Sequence, residues 1–474
     1  MKIYRNHIGG TWMESLARRH VPNNNPADTR DIVGEVPLST ADEATAAVEV
    51  AAHAFLAWRR VPVPERGAII ARVALLLAAR ADHVACALTR EQGKILAEAR
   101  AEVQRAVRYA EQCAAMATSS SGVTVPHRTV ECLGYTTRRP AGVVALLASW
   151  AMPVAQPLLH LAAALAAGNT VVLKPDLRTP ETAEMLVQCF VDAGAPSGVV
   201  NLVHGADDEV AATLIDHPVV RIVTFSGARA GAVAVQRRAA ARGVRVLCES
   251  DSANPVVVLE DADLDRALAA VLAGAYGNAG QSITATKRVV LLHPVADAFL
   301  EALVARAGAL RLGSGLDEGV TMGPCIDEAQ LQQALASVRN AQEKGAELLC
   351  GGTRVVDGPL ANGFFLRPTV LDRVQPEMRV VHTPAPGPVL AVTRVESFAE
   401  VVALVNQPPG STVAGVHTRD GARMFRSIDA IDAVAVAVNA PTTIDDLASP
   451  PVEFLLDFFS ATRTVSIDYG ESRF

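Results

Sequence analysis

The stretch that decides the fold reads Pro140-Ala-Gly-Val-Val-Ala-Leu-Leu-Ala-Ser-Trp-Ala-Met-Pro153, followed closely by Ala166-Ala-Gly-Asn-Thr-Val-Val-Leu-Lys-Pro175. Each segment contains a short β-branched run, and an Ala- and Leu-rich stretch suited to a helix separates the two runs. A strand–helix–strand unit of this kind predicts two parallel strands that are joined by a right-handed crossover.

Similar β-branched runs recur on both sides of this unit, with helical segments between most of them. They fall into two sets, one ending near residue 248 and one beginning near Glu249. We therefore predict an α/β fold with two Rossmann-like α/β domains and a cleft between them, where parallel sheets bind ligands. The predicted bounds are 1–119 and 139–248 for a nucleotide-binding-type domain, and 249–440 for a catalytic-type domain.

A Thr-, Val- and Arg-rich segment, 123–140, predicts an exposed β-hairpin. The last alternating segment, 462–468, could pair with this hairpin within one chain or between chains. We assign 120–138 and 441–474 to an oligomerisation or bridging element. The expected partners are further copies of the chain, as a dimer or tetramer.

Composition excludes several classes of protein. The 474 residues carry a formal net charge of −7, which argues against a general nucleic-acid binder. The seven cysteines are scattered and form no CxxC pair, so we expect neither a disulfide framework nor a metal site. The N-terminus lacks an apolar signal region, and no run of about 18 apolar residues predicts a membrane span. A cytoplasmic location is expected.

Several motifs, in order along the chain, resemble those of the NAD(P)-dependent aldehyde dehydrogenase family. They are the two segments quoted above, Gly198-Val-Val-Asn-Leu-Val-His-Gly205, Gly277-Asn-Ala-Gly-Gln281, Thr321-Met-Gly-Pro324 and Gly387-Pro-Val-Leu-Ala-Val392. The resemblance extends from about Gly9 to Ile467. It implies a fold with two Rossmann-like domains and a β-hairpin element. It also implies a chemistry in which a cysteine thiolate attacks an aldehyde and a glutamate activates water.

The catalytic positions match this chemistry only in part. Ile283 stands at the position of the family nucleophile, two residues after Gln281. Ala151 replaces the asparagine that steadies the oxyanion, a loss of about 2.7–4 kcal/mol where it has been measured. Glu249 retains the general-base position, with a structural role for its carboxylate as the alternative.

The cofactor positions are also altered. The resemblance places Trp150, Lys174 and the turn Gly227-Ala228, followed by Gly231, at the dinucleotide site. The glutamate that often binds the ribose is Leu177 here, and the one that holds the nicotinamide ribose is Pro384. We therefore expect that NAD or NADP can bind, but that the binding is weakened or lost.

Three hypotheses follow from these departures. The first is an inactive family member, a pseudoenzyme that serves as a scaffold, a ligand-binding protein or the partner of another protein. The second is a repurposed enzyme with Glu249 as acid or base of a non-redox reaction. The third is a residual NAD(P)-dependent oxidoreductase that forms no covalent thioester.

Overall fold

A computed structural model of the chain describes residues 1–119, 122–128, 130–407, 410–443 and 449–470. Its strands are β1 (Asn6–Ile8), β2 (Thr11–Met13), β3 (His20–Asn24), β4 (Ile32–Pro37), β5 (Thr124–Val125), β6 (Cys132–Pro140), β7 (Val143–Leu147), β8 (Thr170–Lys174), β9 (Val200–Leu202), β10 (Val220–Gly227), β11 (Arg245–Ser250), β12 (Pro255–Val258), β13 (Arg288–Leu292), β14 (Glu347–Cys350), β15 (Thr369–Asp372), β16 (Val389–Val395), β17 (Ser411–His417), β18 (Ala433–Val438) and β19 (Ser460–Asp468).

The helices lie between these strands, as an α/β protein requires. They are α1 (Ala41–Trp58), α2 (Val63–Ala79), α3 (Ala81–Gln92), α4 (Leu96–Met116), α5 (Ala155–Ala166), α6 (Pro180–Asp192), α7 (Ala212–Asp216), α8 (Arg229–Ala240), α9 (Leu264–Tyr276), α10 (His293–Gly308), α11 (Glu328–Glu343), α12 (Arg379–His382), α13 (Phe398–Asn406), α14 (Gly421–Ala430) and α15 (Val452–Phe458). At the start of α1, Thr40 and Glu43 cap each other's backbone amides, as a capping box does.

The first sheet has the order β11-β10-β7-β8-β9-β1-β2 among the described residues. The strands from β11 to β9 are parallel, and β1 and β2 add an antiparallel edge. The chain runs outward from β7 through β8 to β9, then crosses to the other side of β7 to form β10. Such a reversal opens a crevice at the carboxyl ends of the strands, where doubly wound sheets bind ligands.

The second sheet has the order β14-β15-β16-β13-β12-β17-β18 in the described part of the chain. All of its pairings are parallel except that of β14 with β15. Buried aliphatic residues pack both faces of each sheet, which explains the continuous Val- and Leu-rich runs in the sequence. The predicted α/β fold is confirmed, while the predicted domain bounds stay a prediction.

A third, smaller sheet joins the predicted hairpin to the end of the chain. Strand β6 pairs antiparallel with β5 and, along its whole length, with β19 of the same chain. Residues 120, 121, 129, 444–448 and 471–474 of the predicted bridging element lie outside the described residues. Oligomerisation through this sheet stays a prediction. Among the described helices, none is long and apolar enough to cross a membrane.

Candidate functional site

A cavity of about 790 Å³ opens at the carboxyl ends of β7, β8 and β10. Seven of the eight predicted catalytic and cofactor residues line it, from both halves of the chain: Trp150, Ala151, Lys174, Gly227, Ala228, Gly231 and Ile283. The first six lie at or just beyond the ends of strands of the first sheet, whereas Ile283 precedes β13 of the second sheet. The crevice predicted from the strand order therefore faces the candidate catalytic segment.

One end of this cavity is apolar. Ala212 and Ile215 of α7 contribute to one wall, and Val235 of α8 contributes to another. Phe225 lies against the start of α8, where a Cβ on Gly227 or Gly231 would come within 2.8 and 2.7 Å of its ring. The two glycines are needed because the ring packs directly on the backbone. The resulting slot between two helices suits a flat aromatic base.

Ion pairs lie among the residues that line the cavity. The Lys174 ammonium, whose side chain is 6% exposed, forms an ion pair with the carboxylate of Asp207, which is 83% exposed. Nearby, Arg178 bonds the carboxylate of Asp176 at 2.8 Å, and its guanidinium lies 5.0 Å from the ring centroid of Trp150. Asp207 is a site residue that sequence reasoning missed, because no motif in the sequence marks it.

A carboxylate also occupies the start of α8. The first amide of the helix, Arg229 N, donates to Asp251 Oδ1 at 2.7 Å. Asp251 directly follows β11, which is the parallel neighbour of β10, so both strands deliver their ends to the same place. Helix starts attract anions, and here an internal anion already satisfies one amide. This helix start was predicted from the sequence, but its partner Asp251 was not.

The other wall of the cavity comes from the segment before β13. Asn278, Ala279 and Gly280 have φ values of 49°, 51° and 69°, all in the left-handed region. A buried ammonium fixes this turn: Lys287 Nζ donates to the carbonyls of Gly280, Ala385 and Gly387 at 2.5, 3.0 and 3.1 Å. Burial lowers the pKa of Lys287 to about 8. The lysine therefore ties the Ile283 segment to the loop that contains Pro384.

Glu249 is not brought into this cavity. It lies on β11, and its carboxylate accepts a hydrogen bond from Gln156 of α5. His160 Nε2, also on α5, lies 3.2 Å from Glu249 Oε2. The side chain of Glu249 is 11% exposed and that of His160 is 3% exposed. The candidate base is thus held against α5, beside the cavity wall that Ser226 and Ser149 form.

Neither of the cysteines near the cleft is an activated thiol. Cys248 packs against the core on one face of the first sheet, and burial raises its pKa to about 11. Cys325 is 1% exposed, and burial raises its pKa to about 12. Both are therefore protonated at neutral pH. Within the described ranges, no group of three metal-ligating side chains occurs.

Comparisons with known proteins agree with this geometry. A profile described as the Aldehyde dehydrogenase family matches residues 12–451. The alpha-ketoglutaric semialdehyde dehydrogenase of Bacillus subtilis (strain 168) is 36% identical, and the match covers 98% of each chain. Two solved structures, an NADP dependent enzyme of E. coli and the succinate-semialdehyde dehydrogenase of Burkholderia pseudomallei, are each 31% identical over 98% of both chains, with TM-scores of 0.94.

The hypothesis of an inactive pseudoenzyme is wrong in light of these relatives, which are named as semialdehyde dehydrogenases. The same finding removes the hypothesis of a repurposed, non-redox enzyme. The physical reason is that the covalent route through a thiol at position 283 is not the only route to oxidation. Oxidation requires that a hydride leave an oxygen-bearing carbon and that a base accept a proton, and a thiol is one of several ways to prepare that carbon.

The order of the strands, the cavity at their carboxyl ends and the family match over residues 12–451 lead to one assignment. The chain belongs to the aldehyde dehydrogenase family.

Proposed function

We propose that the protein oxidises an aldehyde to a carboxylate with NAD or NADP as hydride acceptor, and that it does so without a cysteine nucleophile. The observation that carries the proposal is that Trp150 and Lys174 of the first half of the chain line the same cavity as Ile283 of the second half. This arrangement supports a dinucleotide site and a reaction site in one cleft.

The residues present fit a nicotinamide dinucleotide. A cavity of about 790 Å³ lies within the usual range for cofactor sites. The slot between α7 and α8 suits the adenine, Lys174 and Asp207 suit ribose hydroxyls, and the start of α8 suits a phosphate. Because Asp251 already bonds the first amide of α8, we keep the prediction that nucleotide binding is weakened.

A thiol-free oxidation balances chemically when the aldehyde reacts as its hydrate. When bound, the oxidised nicotinamide accepts the hydride, so that aldehyde, water and NAD(P)⁺ become carboxylate, NAD(P)H and two protons. Glu249 is the proposed acceptor of the hydrate's hydroxyl proton. To reach the cavity, its carboxylate turns away from Gln156 and His160. Ile283 contributes an apolar surface that excludes further water from the reacting carbon.

The proposed substrate class is an aldehyde that carries a carboxylate at its other end. The support comes from the relatives named as semialdehyde dehydrogenases, which are similar to this chain over 98% of its length. The same class fits the thiol-free route, because short aldehydes are partly hydrated in water.

The test is a kinetic assay with succinic, malonic and alpha-ketoglutaric semialdehydes, each with NAD⁺ and with NADP⁺, following the absorbance of the reduced nucleotide. We expect NAD(P)H formation that survives prior alkylation of the protein with iodoacetamide. Alkylation that abolishes turnover would contradict the thiol-free route, and a complete absence of turnover with every pair would contradict the function itself.

The role of Glu249 needs its own variants. Glu249→Gln is expected to lower kcat about 10²–10⁴-fold, the usual contribution of a general base, with nucleotide affinity unchanged. Glu260→Gln is a matched control, because that carboxylate lies beyond β12 and pairs with Arg423, away from the cavity. Equal rates in the two variants would exclude Glu249 as the base.

A further inference from the structure

We infer that Asp207 makes the cleft select a dinucleotide whose adenosine ribose has a free 2′-hydroxyl, so that NAD binds in preference to NADP. The inference rests on the proposed function, since it concerns the cofactor of the same cavity. It goes further because it names the residue that chooses between the two cofactors.

The adenosine end of a bound dinucleotide can be located from the residues that line the cavity. The cavity is lined by Ala212 and Ile215 of α7 and Val235 of α8, and also by Gln281 and Ile283 of the segment before β13. A purine fits the slot between the helices, whereas the reacting carbon must lie near the second half of the chain. The adenosine end of a dinucleotide therefore lies beside α7.

The ribose of that adenosine would lie beside the ion pair of Asp207 with Lys174. Asp207 begins the short helical segment Asp207–Ala211 that leads directly into α7, and its carboxylate bonds the Lys174 ammonium at the end of β8. A sugar attached to a purine in the slot thus meets this ion pair. Vicinal hydroxyls suit such a pair, because they can donate to the carboxylate and accept from the ammonium.

NAD and NADP differ at the 2′ position of this ribose, which carries a hydroxyl in NAD and a phosphate in NADP. A 2′-phosphate adds about 1.5 to 2 negative charges, and it would meet Asp207 where the hydroxyl would be bound. Lys174 offers no free charge to compensate, since Asp207 already pairs with it. In doubly wound folds, an acidic side chain at the ribose favours NAD, whereas an arginine there favours NADP.

The α8 arginines oppose this preference. Arg238 and Arg237 both line the cavity. The guanidinium of Arg238 is bound by the carboxylate of Asp216, which satisfies its charge. Arg237 could still attract a phosphate, and Asp208, which also lines the cavity, adds negative charge next to Asp207. The balance at the ribose therefore favours a neutral hydroxyl.

The test is calorimetric titration of the full chain with NAD⁺ and with NADP⁺, a binding measurement that does not depend on turnover. We expect the wild-type protein to bind NAD⁺ at least about tenfold more tightly than NADP⁺. Asp207→Asn keeps the size of the side chain but removes its charge and frees Lys174, so the ratio should fall about tenfold or more, mainly through tighter NADP⁺ binding.

Asp42→Asn is the matched control, because Asp42 is an exposed acid in the first turn of another helix, away from the cavity. It should leave both affinities unchanged. Equal or tighter binding of NADP⁺ by the wild-type protein would overturn the inference, as would an Asp207→Asn variant with the wild-type ratio. If neither nucleotide binds, the proposed function itself fails, and the inference fails with it.

Discussion

A buried ion pair beside the cleft allows a sharp prediction of stability. Lys94 and Glu102 are each 4% exposed, and their charged atoms lie 2.5 Å apart. Glu102 Oε1 also accepts from the amides of Val154 and Ala155 at 2.9 and 3.2 Å, and Lys94 Nζ donates to the Ala151 carbonyl at 3.0 Å. One carboxylate on α4 thus caps α5 and, through the lysine, fixes the segment that contains Ala151.

The perturbation is Glu102→Gln. The amide oxygen of glutamine can still accept from the two backbone amides, so the main loss is the partner of the buried Lys94 ammonium. Breaking a buried pair from one side costs about 3–5 kcal/mol, and because the capping bonds survive we expect about 3 kcal/mol. Urea unfolding followed by circular dichroism measures this cost. Adding Lys94→Met should recover part of the loss, since no unpaired charge then remains.

The control is Asp82→Asn, which breaks the exposed pair of Arg100 with Asp82, where the side chains are 50% and 79% exposed. This change should cost less than about 1 kcal/mol, because water already solvates both groups. If Glu102→Gln costs no more than Asp82→Asn, or if Lys94→Met adds its full cost in the double variant, the assignment of a stabilising buried ion pair between Lys94 and Glu102 is refuted.

Three further predictions concern the cleft and the core. Gly280→Ala should destabilise the fold by about 1–3 kcal/mol in thermal unfolding and weaken nucleotide binding, because Gly280 has φ +69° and a Cβ would lie 2.5 Å from the Gly387 carbonyl oxygen; a variant with the wild-type melting temperature would contradict this. Ile283→Cys should make the protein react with iodoacetamide at residue 283 by mass spectrometry, since this position lines the cavity; an unlabelled thiol would show that it does not face the reacting space. Burial lowers the pKa of His204 from 6.5 to about 3, so in this pH range the imidazole is protonated in the unfolded chain but not in the folded chain. The free energy of unfolding should therefore fall as the pH drops from 6.5 towards 3. His204→Phe should reduce this pH dependence in urea unfolding, and an unchanged pH dependence would exclude His204 as its source.

Much of the fold could be predicted from the sequence because it depends on local patterns. The β-branched runs around Val143 and Val171 became adjacent parallel strands, and the capping box at Thr40 became the start of α1. The final strand was predicted at 462–468 and is observed at 460–468, although the sequence left open whether it pairs within one chain. Pairing at long range depends on the assembled sheets, which no local pattern specifies.

The candidate site was predicted in part, for a related reason. Lys174 and Gly227 could be located because each ends a strand in a motif of the family. Asp207 and Asp251 could not, since their importance arises only when separate segments meet, at Lys174 and at the first amide of α8. The contacts of Glu249 with Gln156 and His160 could not be predicted either, because they depend on how α5 packs against β11.

These missed residues explain why a count of absent family residues overstated the loss of function. Leu177 lacks the oxygen atoms of the glutamate that the family often has there, yet Asp207 brings a carboxylate to the same lysine from a different segment. Pro384 cannot accept a hydrogen bond through its side chain, yet its loop is held to the Ile283 turn by Lys287. The chemistry of a cleft depends on which polar atoms lie close together in the folded chain. Residues from several different segments can supply the same kind of atom at one place. The turns and strands that bring those segments together are the parts of this chain that match the family pattern. The cleft is therefore present although many of its side chains differ from those of the family.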